Sequence, residues 1–233
     1  MRGVAVALTL AFVGGCAGEE STDAPAEVEE TSGHERALAR NDGAQIEGLM
    51  GTISSDAVER TMEARMGRFL RCFQRRHEAV EVLGGTIDLA FRVRVDGTVL
   101  WVYPRESTIG DRETERCILE AARSARFAPP RGGEAEFAYP LTLDTPPEVR
   151  PPLHWDASRV AAKVEENRGE IVDCGPGPYT VTVYVAPGGQ VLAAGASTTD
   201  PERADDLDCV ARSVSTWSMP DPGSYPAKVT FSL

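Results

Sequence analysis

The sequence predicts an α+β protein built from two tandem copies of an αββαβ unit, each an antiparallel three-stranded sheet with two helices on one face. Three observations predict it. Ile87, Leu89, Phe91, Val93 and Val95 alternate with Asp88, Ala90, Arg92 and Arg94, the period-two pattern of a half-buried strand, and Asp96-Gly97 follows as a hairpin turn. A constant shift of 92 residues carries these positions onto Tyr179, Val181, Val183, Val185, Pro187 and a Gly188-Gly189 turn. Four prolines in residues 145–152 form a stiff break between the two stretches.

Before the first copy, Arg2 precedes the apolar run Val4 to Val13, too short to span a bilayer but matching a secretory signal. The run closes on Val13-Gly14-Gly15-Cys16, which resembles the lipobox of bacterial lipoproteins and implies cleavage and acylation at Cys16. Residues 16–45 then read as a lipidated acidic tether. Glu19, Glu20, Asp23, Glu27, Glu29 and Glu30, with little apolar content, cannot offset the entropy of ordering.

The first copy, 46–144, opens with a helix expected near Asp56, with Glu59 three residues on and Val58, Met62, Met66, Phe69 and Phe73 as an apolar stripe. Two strands follow around Asp96-Gly97, then a helix from about Asp111 to Arg126, then a third strand from Ala135 to Leu143. A linker, 145–156, leads to the second copy, 157–233. There the 92-residue shift places Val191, Leu192, Cys209, Met219 and the last strand from Ala227 to Leu233. One ungapped shift over residues 87 to 141 marks internal duplication.

With Cys16 assigned to lipid, Cys72, Cys117, Cys174 and Cys209 form an even set in an oxidising compartment. Both helices of a copy must cover the same sheet face, so Cys72 is expected to meet Cys117, and Cys174 to meet Cys209. His34, His77 and His154 are far from one another and from the cysteines in sequence, so no metal site and no cofactor are expected. The formal charge of -12, from 36 acidic and 24 basic residues, disfavours nucleic acid as a partner. Only Lys163 and Lys228 are lysines; the other cations are arginines.

Cys72-Phe73, Gly85, Val95-Asp96-Gly97-Thr98-Val99, Ser107-Thr108-Ile109-Gly110-Asp111, Cys117 and Phe127-Ala128-Pro129-Pro130 with Tyr139-Pro140 resemble the AgmX/PglI C-terminal domain family, itself similar to the C-terminal domains of TonB and TolA. The resemblance covers residues 57 to 143, and the second copy keeps Ser197-Thr198, Cys209 and Trp217-Ser218-Met219-Pro220. It implies two TonB-like units that dock protein segments by adding a strand to a sheet edge. With no inner-membrane helix legible, a non-catalytic docking lipoprotein accessory to envelope transport or gliding motility is expected, held in the membrane by its lipid, the outer membrane being favoured by Ala17 after the cysteine. The alternative is a structural periplasmic spacer.

Three surfaces are candidates for an envelope protein or peptide partner. A two-residue turn at Asp96-Gly97 sets Arg94 opposite Val99 and Arg92 opposite Trp101, so Arg92, Arg94, Trp101 and Tyr103 share the face away from the helices. Aromatic and arginine side chains of this kind are enriched at interfaces, unless the second copy covers them. The third strands are expected at sheet edges; in the second copy Val229, Thr230 and Phe231 form the candidate edge. Arg60, Arg65, Arg68, Arg71, Arg75 and Arg76 give the first helix a basic face, expected to pair with Glu59, Glu63 and Glu78 in solvent. A hydrolase has little support: Ser107 and Ser197 recur, but without a nucleophile elbow, and suit helix capping.

Overall fold

The 92-residue shift reappears in space as matched backbone pairings. A computed structural model describes residues Met50–Leu233; the expected signal segment, the acylated Cys16 and the acidic tether lie outside the described residues. In the first copy, helices α1 (Ser55–Glu63) and α2 (Met66–His77) precede strands β1 (Gly85–Val93) and β2 (Val99–Ser107), helix α3 (Arg112–Arg123) and strand β3 (Ala135–Leu143). The second comprises β4 (Leu153–Trp155), α4 (Ala161–Asn167), β5 (Thr180–Val185), β6 (Val191–Ser197), α5 (Leu207–Ser215) and β7 (Ala227–Ser232). Short 3₁₀ turns flank α4 and precede α5.

Val93 pairs with Val99 and Ala135, as Val185 pairs with Val191 and Ala227. The irregularity between Arg92 and Val93 recurs between Tyr184 and Val185. Phe127 N–H donates to Gly97 O, and Met219 N–H to Gly189 O, each at 2.9 Å. Ahead of the first strand the spacing becomes 102: helix-capping positions Ser54 and Asp156 differ by that number, as do Cys72 and Cys174. The loop lost between helix and strand accounts for the ten residues.

Both hairpins differ from the expected two-residue turn. Gly97 N–H donates to Arg94 O and Arg94 N–H to Thr98 O, both at 2.8 Å, and Ala186, Gly189 and Gln190 repeat this geometry. These are three-residue loops that close on a glycine at φ +82° or +86°, a left-handed conformation that other residues adopt only with strain. Arg94 therefore faces Thr98 rather than Val99, while the following irregularity restores the expected Arg92–Trp101 pair.

The long first helix is in fact two. Arg65 N–H bonds Met62 O at 2.9 Å, a tightened last turn, and the Arg65 guanidinium is drawn to Ser124 O at 2.8 Å. Ser54, not Asp56, occupies the capping position, and its side chain makes no cap bond. Met62, Phe69 and Phe73 still bury on one face, against Ile118 and Ala122 of α3 and the inward row Ile87, Leu89, Phe91 and Val93. Phe91 stacks on Phe137 at 5.0 Å, with Phe127 edge-on at 5.5 Å.

The first sheet is three-stranded and antiparallel, ordered β2-β1-β3. The second is not the expected three-stranded sheet. It is four-stranded and mixed, ordered β4-β7-β5-β6, because β4, within the span read as linker, pairs in parallel with β7. All described residues belong to one compact unit. Among them no helix is long and apolar enough to cross a membrane.

Candidate functional site

Edge strands β2 and β6 expose one row of backbone donors and acceptors each, and the two copies meet where these edges approach. Ser107 N–H donates to Ser197 Oγ at 3.1 Å, Thr198 N–H to Pro104 O at 3.1 Å, and the Thr182 hydroxyl to Ser107 O at 3.2 Å. The recurrent serines are therefore seam residues and do not cap helices. Capping falls to Asp111, whose carboxylate accepts from Thr114 N–H at 3.0 Å and from Arg76 of α2 at 2.9 Å.

At the centre of the seam lies Glu115, fully buried. Its carboxylate accepts from Ser107 Oγ at 2.6 Å, from Ala196 N–H at 3.2 Å and from Arg112 at 3.4 Å, while Arg112 reaches Asp208 of the second copy at 2.6 Å. Burial pushes the Glu115 carboxyl above the usual range, against Arg112 and the two other donors. Gly195 makes this approach possible, since a Cβ there would fall 2.9 Å from Asp111 N. The equivalent residue of the first copy is Tyr103.

Beside the seam, the outer face of the second sheet packs on the loop before β1. The Tyr184 hydroxyl donates to Gly84 O at 2.7 Å and accepts from Gly84 N–H at 3.1 Å. Burial raises its pKa. Lys228 is only 8% exposed, and its ammonium donates to the same Gly84 O at 2.5 Å, 5.1 Å from the centre of the Tyr184 ring. Among the described residues no carboxylate lies within ion-pair distance of it, and burial lowers its pKa to about 8. Lys228 forms one wall of a cleft of about 560 Å³ between the copies, with Gly85, Thr108, Asp144, His154 and Thr230.

The pH dependence follows. The unfolded chain keeps the Lys228 proton up to its ordinary value near 10.5, whereas the folded chain releases it above about 8. Unfolding therefore takes up a proton between these values, and stability rises with pH across that window, by at most about 3 kcal/mol. Of the other groups around the cleft, hydrogen bonds from Ser158 hold the Asp156 carboxyl below its ordinary range, and burial holds the Tyr184 hydroxyl above this window. Lys228→Met, which leaves Gly84 O its bond from Tyr184, is expected to raise stability at pH 7 by roughly 1–3 kcal/mol and to flatten this rise in denaturant titrations. An unaltered pH profile in the variant would contradict the assignment.

Comparison with family models, curated proteins and solved structures finds no match to this chain.

The expected site residues fare unevenly. Cys72 bonds Cys117 and Cys174 bonds Cys209, the expected pairs, with Cα separations of 5.6 and 5.5 Å. Arg92 and Trp101 lie opposite each other and half-buried, but Arg92 is held by Glu134 at 2.6 Å and Glu136 at 3.4 Å. Arg94 bonds Val99 O at 3.1 Å, and Tyr103 is buried beneath Trp101 and the seam. Val229 is not at a free edge, because β4 occupies Ala227 to Val229; Thr230 bonds Thr182 at 2.8 Å, and Phe231 is buried in the core. The expected pairing of the α1 and α2 arginines with Glu59, Glu63 and Glu78 does not occur among the described residues; Arg76 instead pairs with Asp111 and Glu113. No group of potential metal ligands occurs among the described residues.

Sequence reading missed Glu115, Tyr184 and Lys228. One signal was available. On the 92-residue shift Arg92 becomes Tyr184, Glu136 becomes Lys228 and Glu115 becomes Leu207, so the copies differ in polarity where one face of the second is buried on the first.

Proposed function

We propose that this chain is a lipid-anchored envelope protein whose paired copies form a non-catalytic docking module, a partner segment adding as a strand to the free edge of β3. One observation carries the reading. In the second copy the edge of the third strand already bears an added strand, β4 on β7, whereas among the described residues the matching edge of β3 has none. The segment equivalent to β4, Gly51 to Ile53, stops short: Thr52 bridges Arg131, just before β3 begins. An edge nine residues long with unused backbone groups is a template for another chain. The resemblance to the AgmX/PglI C-terminal family, with its TonB-like docking, supports the same reading, and the signal segment and Cys16 support an envelope location.

Pro140 points to the side of β3 where a partner would pair, since proline within a sheet sits where its missing N–H faces away from the ladder. Ala138, two residues earlier, presents its N–H on that side. Ala138→Pro is expected to weaken capture of the wild-type partner at least about tenfold, the loss of roughly one or two backbone bonds, with an unchanged unfolding midpoint. Equal affinity in the folded variant would exclude β3 as the docking edge. The spacer reading draws on the seam, which covers Tyr103 and the β2 and β6 edges; it predicts no strand partner and no effect of Ala138→Pro.

A further inference from the structure

We propose that the cleft between the two copies is a carboxylate-binding site anchored by the Lys228 ammonium. The site is independent of the β3 edge. An ammonium carries three donors, and Lys228 uses one of them on the described residues, on Gly84 O. A buried cation without a counter-ion is costly, because it has left water without gaining an opposite charge. The cost stands out in a chain with 36 acidic residues, none of which among those described reaches this ammonium. At the equivalent position the first copy carries Glu136, exposed and close to Arg92. The lysine is peculiar to the junction.

The surroundings select the anion. Thr108 and His154 add hydrogen-bonding groups to the cleft wall beside the lysine. Asp144 and Asp156 also line it and, with Lys228, give the wall a formal charge of -1, a repulsion that a phosphate dianion meets more strongly than a monoanion does. A volume of about 560 Å³ exceeds what a free acetate fills and suits the end of a peptide or an acidic side chain. Either source supplies the same group, a carboxylate.

The chain has only two lysines, and the other, Lys163, lies on α4 in an ion pair with Glu166 at 2.8 Å. Isotope labelling of lysine in the intact chain therefore yields two side-chain signals, one of them an internal control. Lys228 is titrated by NMR alone and with acetate, inorganic phosphate, an acetylated trialanine acid, its amide, and an acetylated, amidated Ala-Glu-Ala peptide. The two carboxylate peptides, or one of them, are expected to raise the Lys228 midpoint by about one pH unit, a tenfold preference for the protonated amine. Acetate should do so at higher concentration, and the trialanine amide not at all. Lys163 should not move. The peptide that acts separates a chain terminus from an acidic side chain as the source. The site is refuted if acid and amide shift Lys228 equally, if Lys163 shifts alongside, if phosphate outcompetes both peptides, or if carboxylate-dependent shifts at Gly85 and Thr108 persist in the folded Lys228→Met protein.

Discussion

Replacing Glu115 by alanine is expected to lower the unfolding free energy by about 3–5 kcal/mol, the range found when one member of a buried charged cluster is removed. The loss has three sources. Ser107 Oγ and Ala196 N–H, both buried at the seam, lose the acceptor that satisfies them. Arg112 retains only its bond to Asp208, and the truncated side chain leaves a void between the copies. Glu115→Gln keeps the volume and one acceptor oxygen, so it should lose less. Guanidinium titration with probes in each half, Trp101 and Trp217, reads the result. A loss under about 1 kcal/mol would mean that the seam carries little of the stability.

Removing either disulfide, by paired alanine substitution, should cost about 2–4 kcal/mol. The Cys72–Cys117 and Cys174–Cys209 bridges close loops of 45 and 35 residues, for which chain-entropy arithmetic sets an upper figure of about 4 kcal/mol each. The structural consequences should differ. Helix α2 has twelve residues and anchors Phe69 and Phe73 in the core, whereas α4 has seven and continues into a 3₁₀ turn that ends at Cys174. A seven-residue helix does not hold by itself in water. Hydrogen exchange in the Cys174→Ala, Cys209→Ala protein should therefore show early opening from Ala161 to Cys174, while α2 stays protected in the other variant. Uniform protection in both would contradict the prediction.

The repeat and its disulfides were legible because they depend on pattern within each copy. Alternation in β1, a glycine at each turn and a cysteine at a fixed spacing are local or periodic signals, and a single shift superposes them. The interior of the seam left no such signal. Glu115 lies within Arg112-Glu113-Thr114-Glu115-Arg116, which reads as a solvated helix face until a second sheet is laid against it. Lys228 follows the outward parity of its strand, as a solvated lysine would, and only the packing of one copy on the other turns that face inward. The β7 edge failed for a related reason: a proline-rich linker whose last three residues before Asp156 are Leu153, His154 and Trp155 gives little notice that it will pair.

That pairing also has a mechanical side. Strands β4 and β7 run in the same direction. A pull that draws residue 152 back toward the first half and residue 233 away from it acts in opposite senses along the two strands. Their three register pairs, from Leu153–Ala227 to Trp155–Val229, are then loaded together in shear. A hairpin pulled from its open end would instead lose its bonds singly, in sequence. Tension along the chain thus meets its resistance at the short strap that closes the β7 edge, before it reaches the core of the second half.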